Sequence, residues 1–305
     1  MKKGRQFVTR PTPGGGVPPQ TPDDLDACEP MQYNQSSRAG TKHMDQHELN
    51  NLKRWFTDYC KSFYSSDYED QRNIALKEEH TRNVSGNIVQ IAQGLSLDDA
   101  RITLAEAIAL YHDIGRFPQY QKFKTFKDSV SVNHGALGAK VLVENNVLHV
   151  LPKHEQDIIV RTVALHNAYS IPGGLGKDML LFLKLVRDAD KLDIWRVAIE
   201  YYGQPEAGRA SAVGLGLPDV PWYSTEVLTA LKNEQMVQIS TLKTLNDFKL
   251  LQLAWIYDLN FASSLRILES RQYIDGIAAA LPRTGEIGEA LATLRGYVDK
   301  GLQGE

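Results

Sequence analysis

Cysteine is scarce: Cys28 and Cys60 are the only two in 305 residues and stand far apart, which excludes a disulfide framework. Long hydrophobic runs are missing as well. The longest, around Met179 to Val186, is interrupted by Lys184 and falls far short of the ~18 apolar residues that cross a bilayer, so no membrane partner is expected. Neither sign of charge is in large excess, and a net charge of −3 gives no general basis for binding nucleic acid. Alternating apolar runs are few, leaving little material for strands. Gly214 and Gly216 lack the preceding strand, the further glycine spacing and the Lys-Ser/Thr of a nucleotide loop. What is present is a hydrophobic content of 42%, enough for a large core, and a soluble, cytoplasmic chain is expected.

Residues 1–44 are rich in Pro, Gly and polar residues, show no helical period and lack the apolar segment of a signal peptide. They are expected to be a disordered arm or an appended extension, with Met44 a candidate native start. From Asp45 the pattern turns helical. Leu49, Leu52, Trp55, Phe56, Tyr59 and Phe63 repeat at steps of three and four, and further helices are expected over 70–94, 98–115, 130–146, 154–168 and 177–202. Residues 45–202 thus read as one helical domain. Residues 203–224 carry Gly and Pro and read as a loop or lid in which Arg209, Trp222 or Tyr223 can meet a substrate. Residues 225–305 read as a helical extension of three helices packed on the domain, and the fold class is all-α.

Against this pattern, several polar residues stand where core residues belong. His80 shares a helix face with Val84, Ile88 and Ile91; Leu104 and Ile108 lead to His112, and Ala105 and Ala109 to Asp113. His134 heads a stripe of Leu137, Val141 and Leu142, and His166 ends one built from Ile159, Thr162 and Val163. Asp190 lies with Leu183, Val186, Ile194 and Val197, whereas Asp188 and Asp193 fall off that stripe and are expected to be solvated. One inward histidine is ordinarily a satisfied core residue. Four on separate helices, accompanied by two inward carboxylates, point to a buried metal. The remaining histidines, His43, His47, His149 and His154, read as surface residues.

The order His80, then His112-Asp113 within YHDIGR, then Asp190 within RDADKLD resembles the HD-domain superfamily of metal-dependent phosphohydrolases, over roughly residues 75–200. The resemblance implies an HD-type helical bundle, and it identifies His134 and His166 with the extra histidines of the subset that holds two metals. The paired histidines and Gly-Tyr-Pro signature of the cyclic dinucleotide phosphodiesterases are absent, so that activity is not expected.

The donor chemistry agrees with a dinuclear centre. Imidazole and carboxylate without thiolate suit Fe, Mn, Co, Ni, Zn or Mg, and six protein ligands are more than one catalytic ion can take while keeping an open position. Asp113 is the candidate bridge, with His80, His112 and Asp190 on one ion and His134 and His166 on the other. Two ions ~3.5–4 Å apart can hold a hydroxide for in-line attack on phosphorus. Arg116, one turn beyond the His-Asp pair, is the candidate catalytic cation for phosphate; Lys191 and Arg82 are further candidates for substrate binding. A small phosphate ester, with a nucleotide first among them, is the expected partner. Two other readings share the ligand set: a diiron oxygenase similar to inositol oxygenase, and an HD protein that only senses a nucleotide.

Overall fold

Aspartates open the first three helices. Asp45 caps α1 (Gln46–Lys61) in a box with Glu48, Asp67 caps α2 (Tyr68–Gly94), and Asp98 caps α3 (Asp99–Tyr111), each accepting a backbone N–H that the helix itself leaves without a partner. The computed structural model describes residues 42–205, 209 and 213–303. The expected arm up to residue 41, and residues 206–208 and 210–212 of the expected lid, lie outside the described residues. The described chain is fixed from its start, since Met44 is buried and donates its N–H to Glu155.

Beyond α3 come α4 (Arg116–Phe123), α5 (His134–Glu144), α6 (Lys153–Leu165) and α7 (Lys177–Gly203). The sequence pattern did not suggest α4, which is short and contains a proline. Pro118 is tolerated because it sits in the first turn, where its missing N–H removes no helical bond. Helix α3 stops at Tyr111, short of the expected 115, which puts His112 and Asp113 in a tight turn and not on a continuing helix.

The C-terminal region holds five helices where three were expected: α8 (Thr225–Lys232), α9 (Leu245–Ala254), α10 (Ala262–Ser270), α11 (Tyr273–Ala278) and α12 (Gly285–Gln303). Gln272 in the left-handed region breaks α10 from α11, a device that period counting does not register. No strand occurs among the described residues, and none of their helices is long and apolar enough to cross a membrane. The chain is all-α.

Helix α7 is the axis of the packing. Helices α2, α3, α6, α10 and α11 all pack against it, while α5 packs on α6 and α12 ties α8 to α10. This explains one correction to the sequence reading. Asp188 and Asp193, expected in solvent, are 0% and 1% exposed because α7 is covered all round and has no solvent stripe along this stretch. Asp188 accepts from the Asn260 and Phe261 N–H groups and the Ser264 hydroxyl, capping α10. Of the 203–224 segment, Tyr223 bonds Thr284 and Glu286, and the Asn246 amide donates to the Val220 and Trp222 carbonyls, so its described end is tied to the C-terminal helices.

The turn after α3 is pressed onto α5. A Cβ on Gly115 would lie 2.2 Å from the His134 carbonyl oxygen and 2.6 Å from the Gly138 nitrogen, both backbone atoms that cannot step aside. Gly115→Ala is therefore expected to destabilise the chain by about 1–3 kcal/mol in urea unfolding. Gly86→Ala, on the exposed face of α2 with nothing within 4 Å, should stabilise it by about 0.5–1 kcal/mol.

Candidate metal centre

Two helices end on candidate ligands. His112 is the C-cap of α3 and His166 the C-cap of α6; each ring donates from Nδ1 to a carbonyl of its own last turn, Ala109 at 2.7 Å and Val163 at 2.8 Å. Those carbonyls are among the ones a helix end leaves unpaired, and the partial negative charge there favours a cation nearby. The other two rings are held by carboxylates: His80 Nδ1 donates to Asp193 Oδ2 and His134 Nδ1 to Asp128 Oδ2, both at 2.7 Å. Carbonyls and ionised carboxylates only accept, so each ring in its neutral form carries its proton on Nδ1 and keeps the Nε2 lone pair for a metal.

All four lone pairs face inward. His80 Nε2 lies 3.0 Å from Asp190 Oδ1 and 3.4 Å from His112 Nε2, which is itself 3.7 Å from Asp190 Oδ1. On the other side His134 Nε2 and His166 Nε2 are 3.1 Å apart and lie 3.3 Å and 3.7 Å from Asp113 Oδ1. The second oxygen of Asp113 turns the opposite way, 3.6 Å from His80 Nε2 and 3.7 Å from His112 Nε2. Two triads result, His80/His112/Asp190 and Asp113/His134/His166, and either could hold a metal ion. Bare nitrogens turned toward one another repel, and a cation between them removes the repulsion; the donor set fits a divalent metal.

Charge is managed in the same way. Burial works to raise the Asp113 carboxyl, but Lys77, His112 and Arg116 beside it outweigh that and hold it well below the ordinary carboxylate range. Asp190 is likewise held low against its burial by His112 and His80. Burial and the Arg116 charge depress His134 to about 4 against the opposing pull of Asp128, so it stays neutral and able to ligate at neutral pH. His80 moves the other way: burial and Lys77 lower it, but its bonds to Asp190 and Asp193 leave it raised.

Residues 78–195 match the family model described as HD domain. That stretch is similar to an HD domain. Domains of this family are in general metal-dependent hydrolases, and the matched stretch of this one contains all six residues of the two triads. No curated protein and no solved structure gives a significant match to the chain.

The cations expected for substrate fare differently. Arg116 reaches the HD centre, with Nε 3.4 Å from Asp113 Oδ1, but its Nη1 is committed to Asp128, Gln119 and the Phe126 carbonyl. Lys191 is buried, its ammonium 2.8 Å from Asp258 Oδ2 and bonded to the Arg187 carbonyl. Arg82 is not brought to the centre; its side chain is 64% exposed and pairs with Glu78 along α2. Lys77, which the sequence pattern did not single out, is the nearest cation, with Nζ 2.7 Å from Asp113 Oδ2. It stands one turn before His80, just outside the matched segment. Asp193, three residues after Asp190, falls off the apolar stripe, so the helical period placed it in solvent instead of behind His80. Asp128 lies in an irregular segment with no period to betray it. Asp190, at 22% exposed, and Asp128, at 30%, form the open side of the centre together with Lys77 and Arg116, at 16% and 15%.

Asp193→Asn and Asp128→Asn each replace one carboxylate behind one ring. Asp193→Asn should weaken the ion at the His80 triad and Asp128→Asn the ion at the His134 triad, each by about 10–100-fold in chelator competition. A pH effect follows from His134. Above its ordinary 6.5 both folded and unfolded chains hold it neutral; between 6.5 and about 4 only the unfolded chain takes the proton, so it subtracts stability as pH falls. Metal-free His134→Gln should thus lose less stability than the metal-free parent between those pH values, as read by urea unfolding.

Proposed function

We propose that the chain is a phosphohydrolase with two divalent ions bridged by Asp113, acting on a small phosphate ester, with nucleotides the first class to test. The observation that carries this reading is the division of Asp113, one oxygen facing each triad, at the centre of four bare imidazole nitrogens. When bound, the ions supply Lewis acidity toward the phosphoryl oxygens and a water of lowered pKa for in-line attack.

The residues around the triads supply the rest. Asp113, Asp190, Asp193 and Asp128 bring four negative charges, against which Lys77, Arg116 and Arg196, the last paired with Asp193, set three positive ones. The metal-free centre therefore disfavours an anion. Two divalent ions would offset the four carboxylates and leave positive charge in excess, which favours a phosphate anion. Lys77, on the open side, is the residue assigned to hold a phosphate oxygen. Arg116, braced through Nη1 and stacked over the Phe126 ring at 5.8 Å, keeps Asp113 ionised and fixes the edge of the pocket. Lys191 is paired with Asp258 and is assigned no contact with substrate, and Arg82 takes no part.

Asp113→Ala should abolish turnover of phosphomonoesters, phosphodiesters or nucleotides and strip at least one ion while leaving helicity intact. Lys77→Ala should retain its metal and lose roughly 10–100-fold in kcat/KM, the worth of one charged hydrogen bond, whereas Arg82→Ala should change little. Turnover is to be read without oxygen and with Mn or Fe restored. Phosphate release under those conditions supports the hydrolase; no release, with two irons per chain and an oxygen-sensitive spectrum, moves the assignment to a diiron oxygenase.

A further inference from the structure

A second group of metal-ligand side chains lies at the opposite end of α6 from the HD centre. His166 closes that helix, while His154 and Glu155 stand in its first turn, some 18 Å away at the helical rise per residue. His43, in the segment leading into α1, folds back onto them. One ligand atom from each of His43, His154 and Glu155 lies within 4.8 Å of the others.

We infer that His43, His154 and Glu155 form a further divalent-cation site, of a kind suited to zinc. Glu155 is 1% exposed, and the Met44 N–H fixes its carboxylate, 3.0 Å from Oε2 and 3.3 Å from Oε1, with Oε1 turned toward the two imidazoles. His43 Nδ1 is 3.1 Å from Oε1, and His154 Nε2 is 3.8 Å from the same oxygen. The second distance is too long for a hydrogen bond but suits two ligands of one ion: with bonds of about 2.0–2.1 Å at a tetrahedral angle, ligand atoms stand about 3.3–3.4 Å apart. The two rings meet edge to face at 5.8 Å between centroids, so their nitrogens converge without stacking. Unlike His112 and His166, neither ring has its other nitrogen locked to a backbone carbonyl, and His43, half exposed at 52%, can turn that nitrogen to water.

The surroundings allow an ion that keeps an open position. His43, His154 and Glu155 form part of the wall of a cavity of about 290 Å³, with Asp98 and Asp178 among the other residues on it. The positive end of α6 works against a cation here, and the buried Glu155 carboxylate in the first turn counters it. Two imidazoles and one carboxylate favour zinc or another first-row divalent ion over calcium or magnesium. Such an ion would pin the chain entering α1 to the start of α6.

The test uses the full chain, stripped with chelator and dialysed against zinc chloride, with zinc per chain counted by mass spectrometry. The parent is expected to hold one more zinc than His43→Ala/His154→Ala, while His149→Ala, which removes an exposed histidine outside the group, matches the parent. Should the double variant fold poorly by circular dichroism, His154→Gln alone, which leaves Glu155 bonded to Met44, should weaken the extra zinc by at least about tenfold. Equal zinc uptake and affinity in the parent and these variants overturns the site. The readout is a difference between proteins with intact HD centres, so it does not depend on what that centre catalyses.

Discussion

Asp113 is a carboxylate 3% exposed, and the rest of the domain is arranged so that it can stay ionised there. An isolated buried carboxylate would take up a proton; this one is surrounded by inward imidazoles and by the Lys77 and Arg116 cations. That requires side chains from α2 through α7 to meet at one point. The close approach of the α3–α4 turn to α5 at Gly115 brings Asp113 and His134 within 3.3 Å, and α7 brings Asp190 from the far side. The partners behind the rings then decide which nitrogen faces the centre. Two of those partners are the spare carbonyls of helix ends, which makes the stopping points of α3 and α6 part of the ligand geometry.

This dependence shows what the sequence could and could not reveal. His80, His112, His134 and His166 were legible because each interrupts an apolar stripe, and a stripe is a local property of one helix. Asp190 was legible for the same reason. Asp188 and Asp193 were misplaced because stripe reasoning assumes one buried face, and α7 is covered by partners far apart in sequence. Asp128 and Gln119 were invisible: they act through hydrogen bonds across an irregular segment, and only the fold sets His134 beside one and Arg116 beside both. The C-terminal helices were recognised as helical but miscounted, since their breaks lie in single backbone conformations such as that of Gln272.

The C-terminal layer does more than cover apolar surface. Arg187 and Lys191 flank Asp190 on α7, and both are buried, at 7% and 8% exposed. Two buried cations beside a centre built to hold cations would weaken it by repulsion if left alone. Asp258, which follows α9, receives both, Arg187 Nη2 at 2.7 Å and Lys191 Nζ at 2.8 Å on the same oxygen. Burial works to raise that carboxyl, yet Lys191 and Arg187 hold it below its ordinary value, so it remains charged. Arg187 in turn donates to the His166 and Ala168 carbonyls, linking this ion group to the turn that carries a ligand of the other triad. The segment that matches the HD family ends at residue 195 and leaves this counter-charge outside it. The electrostatic balance of the candidate metal centre therefore depends on residues beyond the matched segment, and the two are parts of one compact unit.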